Sequence, residues 1–267
     1  MAMEITSKDN RIFRDLRHLS MKKYRDREGL YIIEGYNLVG EALKGDADVA
    51  YLVMRRGAEA PDGLTDLNGL GTEAYVMEES LFDKIAQTET SQGVIAAVRK
   101  PDYGGGWLKE HLDADSNLVV LDRLQDPGNI GTIIRTAEGA GYSAVMTVKG
   151  TADIWSPKVI RAAAGSVFRI PIIQVEDNRE LAELAASLGK KLVVTSLDTD
   201  KYYFDEDISR GIALVIGNEG NGVSSELMEM ADVRIKIPMN GNLESLNASV
   251  AAGILMYEAA RQVSGVK

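Results

Sequence analysis

Beyond residue 112 the sequence alternates short apolar, β-branched runs with helical segments, and this alternation constrains the fold more than any other feature. Residues 118–121, 144–148, 191–196, 213–217 and 233–237 read as strands, with helices at 130–138, 157–163 and 179–188. The pattern predicts an α/β domain with a mainly parallel sheet. In such sheets ligands sit beyond the carboxyl ends of the strands, so the informative residues belong in the loops there.

Ahead of this region, 30–33 and 49–54 read as strands around a helix at about 36–43, followed by a helix at 79–86 and a strand at 94–98. Pro101 and the run Gly104, Gly105, Gly106 then mark an exposed hinge. The expected organisation is a smaller α/β domain over 1–98, a linker over 99–112 and a second domain over 113–267.

The net charge of −10 over 267 residues argues by itself against a generic nucleic-acid coat. The charge is uneven, however. Through Leu30 there are eight basic and five acidic residues, which leaves 22 basic and 35 acidic beyond. Ile12, Leu16 and Leu19 share one helical face, while Arg11, Arg14 and Arg17 step around the exposed side. Charge pattern leaves two readings open, a solvated amphipathic helix or a phosphate-contacting surface.

Cysteine is absent, which excludes disulfides, thiolate metal sites and cysteine nucleophiles. Only His18 and His111 supply imidazole, without zinc-hydrolase spacing, so no metal is expected. The charged N-terminus lacks a signal-peptide core, and no run approaches the roughly 20 apolar residues of a membrane span. A soluble cytoplasmic protein is the expectation. Gly139-Ala140-Gly141-Tyr142-Ser143-Ala144 matches a dinucleotide fingerprint in letters only, because it ends a helix and leads into a strand.

Three loops remain. After the strand ending at Leu121, Asp126-Pro127-Gly128-Asn129 opens a helix whose inner face is Ile130, Ile133, Ile134 and Ala137. Asn129 is expected to cap it, and Arg135 rises from its early turns. After residue 216, Gly217-Asn218-Glu219-Gly220-Asn221-Gly222 lets backbone amides approach a ligand. Glu219 disfavours an anion, so a neutral or cationic ligand fits; a turn with a helix cap at Ser224 is the purely structural alternative. After Ile237-Pro238-Met239, the segment Asn240-Gly241-Asn242-Leu243-Glu244-Ser245-Leu246-Asn247-Ala248-Ser249 leads into a helix reaching about Gln262. Val250, Gly253, Ile254 and Tyr257 are its expected buried face. Ser245, Asn247 and Ser249 exceed what one cap uses, which points to a site at the helix start.

In order and position, these three loops resemble the motifs of the SpoU (TrmH-like) family of RNA 2′-O-ribose methyltransferases, within the SPOUT superfamily. The resemblance runs from about residue 115 to the C-terminus. The N-terminal part, with Lys22-Lys23-Tyr24-Arg25-Asp26-Arg27 and Ile33-Glu34-Gly35, is similar to the family's substrate-binding extension, a domain resembling RNA-binding ribosomal proteins. The resemblance implies a deep trefoil knot through 195–197, 217–222 and 237–248, binding S-adenosylmethionine. It implies catalytic positions at Asn129, Arg135, Glu219, Ser245 and Asn247. Cofactor contacts are implied at Thr195, Ser196, Leu197, Gly217, Asn218, Glu219, Gly220, Ile237, Met239, Ser245 and Leu246. RNA contacts are implied at Arg11, Arg14, Lys22, Lys23, Arg25, Arg27 and Arg135. A homodimer acting on ribosomal RNA is the favoured expectation. The alternatives are a tRNA ribose or base methyltransferase of the same fold, or a non-catalytic ribosome-assembly protein.

Overall fold

The basic N-terminal segment folds as a pair of short helices against a mixed sheet. In a computed structural model that describes residues 3–59, 72–241 and 245–265, β1 (Met3–Ile5) precedes α1 (Arg11–Leu19). Asn10 caps α1, its Oδ1 accepting from Ile12 N at 2.9 Å. The helix buries Phe13, Leu16 and Leu19 and turns Arg11, Arg14 and Arg17 outward. Then α2 (Lys22–Glu28) ends at Gly29, whose φ of 64° suits a residue without Cβ.

Arg25 requires a correction. Only 4 % exposed, it donates from Nη1 to the Leu19 carbonyl at 2.6 Å. It sits on the inner side of a short helix, where a buried guanidinium persists only with hydrogen-bond acceptors, and so it braces the α1–α2 turn instead of facing RNA.

β2 (Leu30–Glu34), α3 (Tyr36–Lys44), β3 (Val49–Arg55), β4 (Glu73–Met77), α4 (Glu79–Phe82) and β5 (Val94–Arg99) complete this part. The sheet order is β1-β4-β3-β5-β2, with β4 parallel to β1 and β3, and β5 antiparallel to β3 and β2. Its face carrying Tyr51, Val53, Ile95 and Ala97 packs on Phe13, Leu16 and Leu19 of α1.

The chain divides between Asp102 and Tyr103 into two compact units. The second half of the expected linker is helical, α5 (Gly105–His111), anchored by fully buried Leu108. There follow β6 (Leu118–Asp122), α6 (Pro127–Gly139) and β7 (Ala144–Val148). Next, α7 (Pro157–Ala163) and a 3-10 turn over Ala164–Phe168 group with the first unit, which comprises Met1–Asp102 and Trp155–Arg169. Tyr31 packs on Trp155 with centroids 4.7 Å apart, and Arg169 pairs with Glu41 at 2.8 Å. Those long-range contacts explain why a segment inside the expected 113–267 domain leaves it.

The second unit continues with β8 (Ile172–Val175), α8 (Asn178–Ser187), β9 (Lys191–Thr195), β10 (Ile212–Gly217), α9 (Ser225–Met230), β11 (Val233–Ile235) and α10 (Ala248–Ser264). Its sheet, ordered β11-β9-β10-β6-β7-β8, is parallel at every pairing. Between α6 and β7 the glycine-rich stretch is a turn, with Gly141 at φ 80°. In α10 the structure reverses the expected orientation. Ala252, Leu255, Met256 and Ala259 are buried, whereas Val250 is 52 % and Tyr257 56 % exposed, with Gly253 and Ile254 half-buried beside them. The helix is apolar on two sides, and periodicity does not tell which side meets the core. Among the described residues no helix is long and apolar enough to cross a membrane.

Candidate active site at the ends of the parallel strands

The sheet order turns back on itself between β6 and β10, and their carboxyl ends lie side by side: Gly217 pairs in register with Asp122, as Ile235 does with Thr195. Asp122 is fully buried at the end of β6. Its Oδ2 accepts from Ser224 N at 2.6 Å and its Oδ1 from Arg123 Nε at 3.0 Å. This fixes where the loop after β10 begins α9. Within that loop, Asn218 and Gly222 exchange backbone hydrogen bonds at 2.9 Å, and Asn218 Oδ1 accepts from Gly220 N and Asn221 N.

Glu219 projects from this turn and ties it to the loop after β6. Its Oε2 accepts from Gln125 N at 3.0 Å, and its Oε1 accepts from Asp126 N and from Asn129 Nδ2, each at 3.1 Å. Asn129 Oδ1 in turn accepts from Asn247 Nδ2 at 2.8 Å. Asn247 caps α10, its Oδ1 accepting from Ser249 N at 2.9 Å. A single polar relay, Glu219–Asn129–Asn247, therefore joins all three loops singled out in the sequence. Asn129 is not the cap of α6, as expected, since Asp126 accepts from Asn129 N at 2.7 Å and holds that position. With Pro127 at N1, the helix starts three residues earlier, which frees the buried Asn129 amide to bridge.

Beside the relay, and bordered by its Glu219, lies a cavity of about 540 Å³. Thr195, Ser196, Leu197, Gly217, Asn218, Glu219, Gly220, Ile237, Met239, Ser245 and Leu246 all line it. Much of the wall is backbone with apolar cover from Ile216, Val223 and Ala248, and its charged members are Asp198, Glu219 and Lys236. Asp198 and Lys236 went unnoticed in the sequence because each sits in a polar stretch with no motif of its own. Ser245 is exposed and makes no hydrogen bond to the described residues. Asn242, Leu243 and Glu244 lie outside the described residues.

Arg135 is not part of this wall. It is exposed on α6 and pairs with no carboxylate among the described residues. Neither histidine borders the cavity.

Burial pushes the Glu219 carboxyl up, but the donors Gln125 N, its own backbone N–H, Asn129 and Asp126 together hold it below its ordinary value. A depressed carboxylate stabilises the fold above the unfolded-state pKa, and the stabilisation is lost as pH falls through the lowered value. Because the Glu219 side chain is exposed and solvent screens it, Glu219→Gln is expected to cost only about 0.5–1 kcal/mol at pH 7. The difference should begin to shrink as pH falls below the unfolded-state carboxylate value of about 4.3 and vanish below the lowered folded-state value, where wild-type Glu219 is neutral as well. Urea unfolding of both proteins between pH 7 and pH 3 measures it; a pH-independent difference would show that the charge does not hold the loop.

With this geometry in place, the similarities to known proteins can be read. Residues 116–257 match the SpoU rRNA Methylase family, and residues 10–96 match the MRM3-like substrate binding domain. The chain is 36 % identical to a 23S rRNA (guanosine(2553)-2'-O)-methyltransferase, RlmP, of Bacillus subtilis, over 95 % of this chain and 98 % of that protein. It is 31 % identical to a 23S rRNA (uridine(2479)-2'-O)-methyltransferase of Streptomyces viridochromogenes, over 99 % of this chain and 94 % of the other. Among solved structures, the AdoMet-bound rRNA methyltransferase from Sinorhizobium meliloti superposes with a TM-score of 0.87 at 31 % identity, covering 98 % of each chain. Sequence and fold thus agree along the whole chain, and the protein belongs to the SpoU rRNA methylase family.

Proposed function

We propose that this protein is an S-adenosylmethionine-dependent ribose 2′-O-methyltransferase acting on ribosomal RNA in the cytoplasm. The observation that carries the reading is that the loops at 217–222 and 237–248 wall one cavity while the Glu219–Asn129–Asn247 relay ties the third motif loop to both. The cavity suits the cofactor chemically. Two carboxylates face one ammonium among its lining residues, and the cofactor at neutral pH carries a net single positive charge. The apolar and backbone-rich wall accepts a purine and hydrogen-bonds its edge. Threading of 195–197, 217–222 and 237–248 as a trefoil knot accounts for a site made from three successive crossings.

When bound, S-adenosylmethionine supplies an electrophilic methyl group on a sulfonium. The protein's part is to align the ribose oxygen with that methyl and to stabilise the charge developing there, and orienting two reactants removes several kcal/mol of barrier. Ser245, whose hydroxyl bonds none of the described residues, orients the nucleotide, and Asn129, its amide engaged by Glu219 and Asn247, holds the loop after β6 in place. Arg135 holds a flanking phosphate and stabilises negative charge on the ribose oxygen. A guanidinium with a pKa above about 12 is no proton acceptor, so its role is electrostatic. Glu219 has its oxygens committed to three donors of the loop after β6, and it keeps the cavity in shape instead of moving the proton.

RNA approaches through the N-terminal helices. Arg14 and Lys23 are exposed without ion pairs among the described residues, and so is Arg17, which the sequence reading left off the RNA-contact set. Arg11, Lys22 and Arg27 are exposed but paired with Asp15, Asp26 and Glu28.

A homodimer completes the reading. The exposed Val250–Tyr257 side of α10 is an apolar helix face next to α6, where Tyr257 approaches Gly139. Ala248 and Ala251 of the same helix line the cavity, so a twofold contact along α10 brings each copy's Arg135 toward the other's cavity. Tyr257→Asp is expected to give a monomer by sedimentation and to lose methyl transfer while remaining folded; a dimeric, active Tyr257→Asp protein would remove this interface.

The decisive experiment incubates the protein with methyl-labelled S-adenosylmethionine and unmodified 23S rRNA, then digests with alkali. Label in an alkali-resistant dinucleotide shows 2′-O-methylation, because the modified ribose no longer cleaves its own phosphodiester. Label in a mononucleotide base would instead show a base methyltransferase, and bound but unlabelled RNA a non-catalytic assembly protein. The two relatives bear different target nucleotides in their names, so the target here is found by mapping rRNA from a deletion strain by mass spectrometry.

A further inference from the structure

A second cavity, of about 590 Å³, lies wholly within the N-terminal unit, between α1, α2 and one end of the mixed sheet. That volume is typical of a site for a small heterocycle. Its floor is made by residues on one sheet face: Tyr51 stands opposite Glu73 in register, and Tyr75 follows two residues on. Tyr51 is 7 % exposed, and its Oη has no hydrogen-bond partner among the described residues. A buried hydroxyl left unpaired is rare, and this one belongs to a residue that borders the cavity. Tyr75 Oη donates to Glu73 Oε2 at 2.8 Å, which leaves Glu73 Oε1 able to accept.

The wall is an aromatic stack. His18 lies parallel on Tyr24 with ring centroids 4.3 Å apart, and the Arg27 guanidinium sits 4.7 Å from the Tyr24 centroid. Such a stack is open to continuation by one more flat ring. Arg11, Arg27 and Arg99 stand at the exposed rim. The lining contains as many carboxylates, Asp15, Glu28 and Glu73, as guanidiniums, so a free anion gains little there whereas a neutral planar ring with a polar edge does.

We propose that this cavity takes an unstacked RNA base: the ring stacks on His18, and its polar edge meets Tyr51 Oη and Glu73. Guanine fits best, since its adjacent imino and amino groups donate to a carboxylate while its carbonyl oxygen accepts from a hydroxyl. Uracil offers a single donor between two acceptors. Burial, followed by the charge of Asp15, pushes the Tyr51 phenol up, so it remains a donor at any working pH. The inference rests on the reading of the chain as an rRNA enzyme and adds a base-reading subsite to it, separate from the methylation site.

Tyr51→Phe is the sharp test, because the hydroxyl it deletes bonds nothing among the described residues and the fold should be unaffected. Filter binding with a 23S rRNA transcript is expected to show an affinity loss of about fivefold or more, with cofactor affinity and Tm unchanged. By NMR, the pentaribonucleotide UUGUU should perturb Tyr51, Tyr75 and His18 more than UUUUU does, and Tyr51→Phe should abolish the difference. If Tyr51→Phe binds the transcript like wild type while Lys22→Glu with Lys23→Glu weakens it, the cavity has no part in recognition although the RNA reading stands. If guanosine monophosphate perturbs the cavity as strongly as UUGUU, the site serves a free nucleotide and the assignment to RNA is overturned. Failure of the wild-type protein to bind any transcript would defeat the parent reading instead, and needs no variant to detect.

Discussion

An Arg135→Ala protein is expected to bind S-adenosylmethionine as wild type does and to lose methyl transfer by about 10²- to 10³-fold, the cost of removing one preorganised charge-stabilising donor. The separation of the two readouts follows from position. Arg135 does not line the cavity, makes no ion pair with the described residues and is exposed on α6, so its removal leaves the cavity and the fold intact. Calorimetry with the cofactor and single-turnover transfer to rRNA read the two quantities independently. Arg135→Lys separates charge from geometry, because lysine keeps the charge but not the planar fork that grips a phosphate through two donors. Partial activity in Arg135→Lys supports bidentate contact. Full turnover in Arg135→Ala would remove the residue from the mechanism.

The second large effect is steric. A Cβ at Gly217 would lie 2.2 Å from both Gly222 C and Val223 N, and 2.6 Å from Gly222 O. These atoms cannot retreat cheaply, since Asn218 and Gly222 are bonded to one another and Ser224 N is held by buried Asp122. Gly217→Ala is therefore expected to cost about 3 kcal/mol or more and to abolish cofactor binding. Gly220→Ala is the matched control: its Cβ would meet only Asn218 Oδ1, at 3.6 Å, so stability should stay within about 0.5 kcal/mol of wild type. Thermal unfolding and calorimetry compare the pair, and a Gly217→Ala protein that binds cofactor normally would show that the turn is not tightly closed.

The polar relay explains why the site was only partly legible. The sequence reading offered a helix cap for Asn129 and a structural turn as one account of the loop at 217–222. In the structure Asp126 is the cap, and the Asn129 amide is spent on Glu219 and Asn247, residues some ninety and more than a hundred positions away. Local patterns identify polar side chains near a strand end. They do not say which of them will meet, because that depends on β10 inserting beside β6.

Sequence alone determined the strand and helix alternation, the position of the three loops and the concentration of positive charge near the N-terminus, because each is written in local periodicity or composition. Tertiary structure decided the rest. It buried Arg25 while leaving Arg14, Arg17 and Lys23 outward, and of the two apolar sides of α10 it turned the Val250–Tyr257 side to solvent. It also moved Trp155–Arg169 into the first unit. For α10 and for Trp155–Arg169 the deciding contacts are long-range, and for Arg25 they lie across the α1–α2 turn: an amphipathic pattern records that a residue is able to be buried, and only the packing partner determines whether it is.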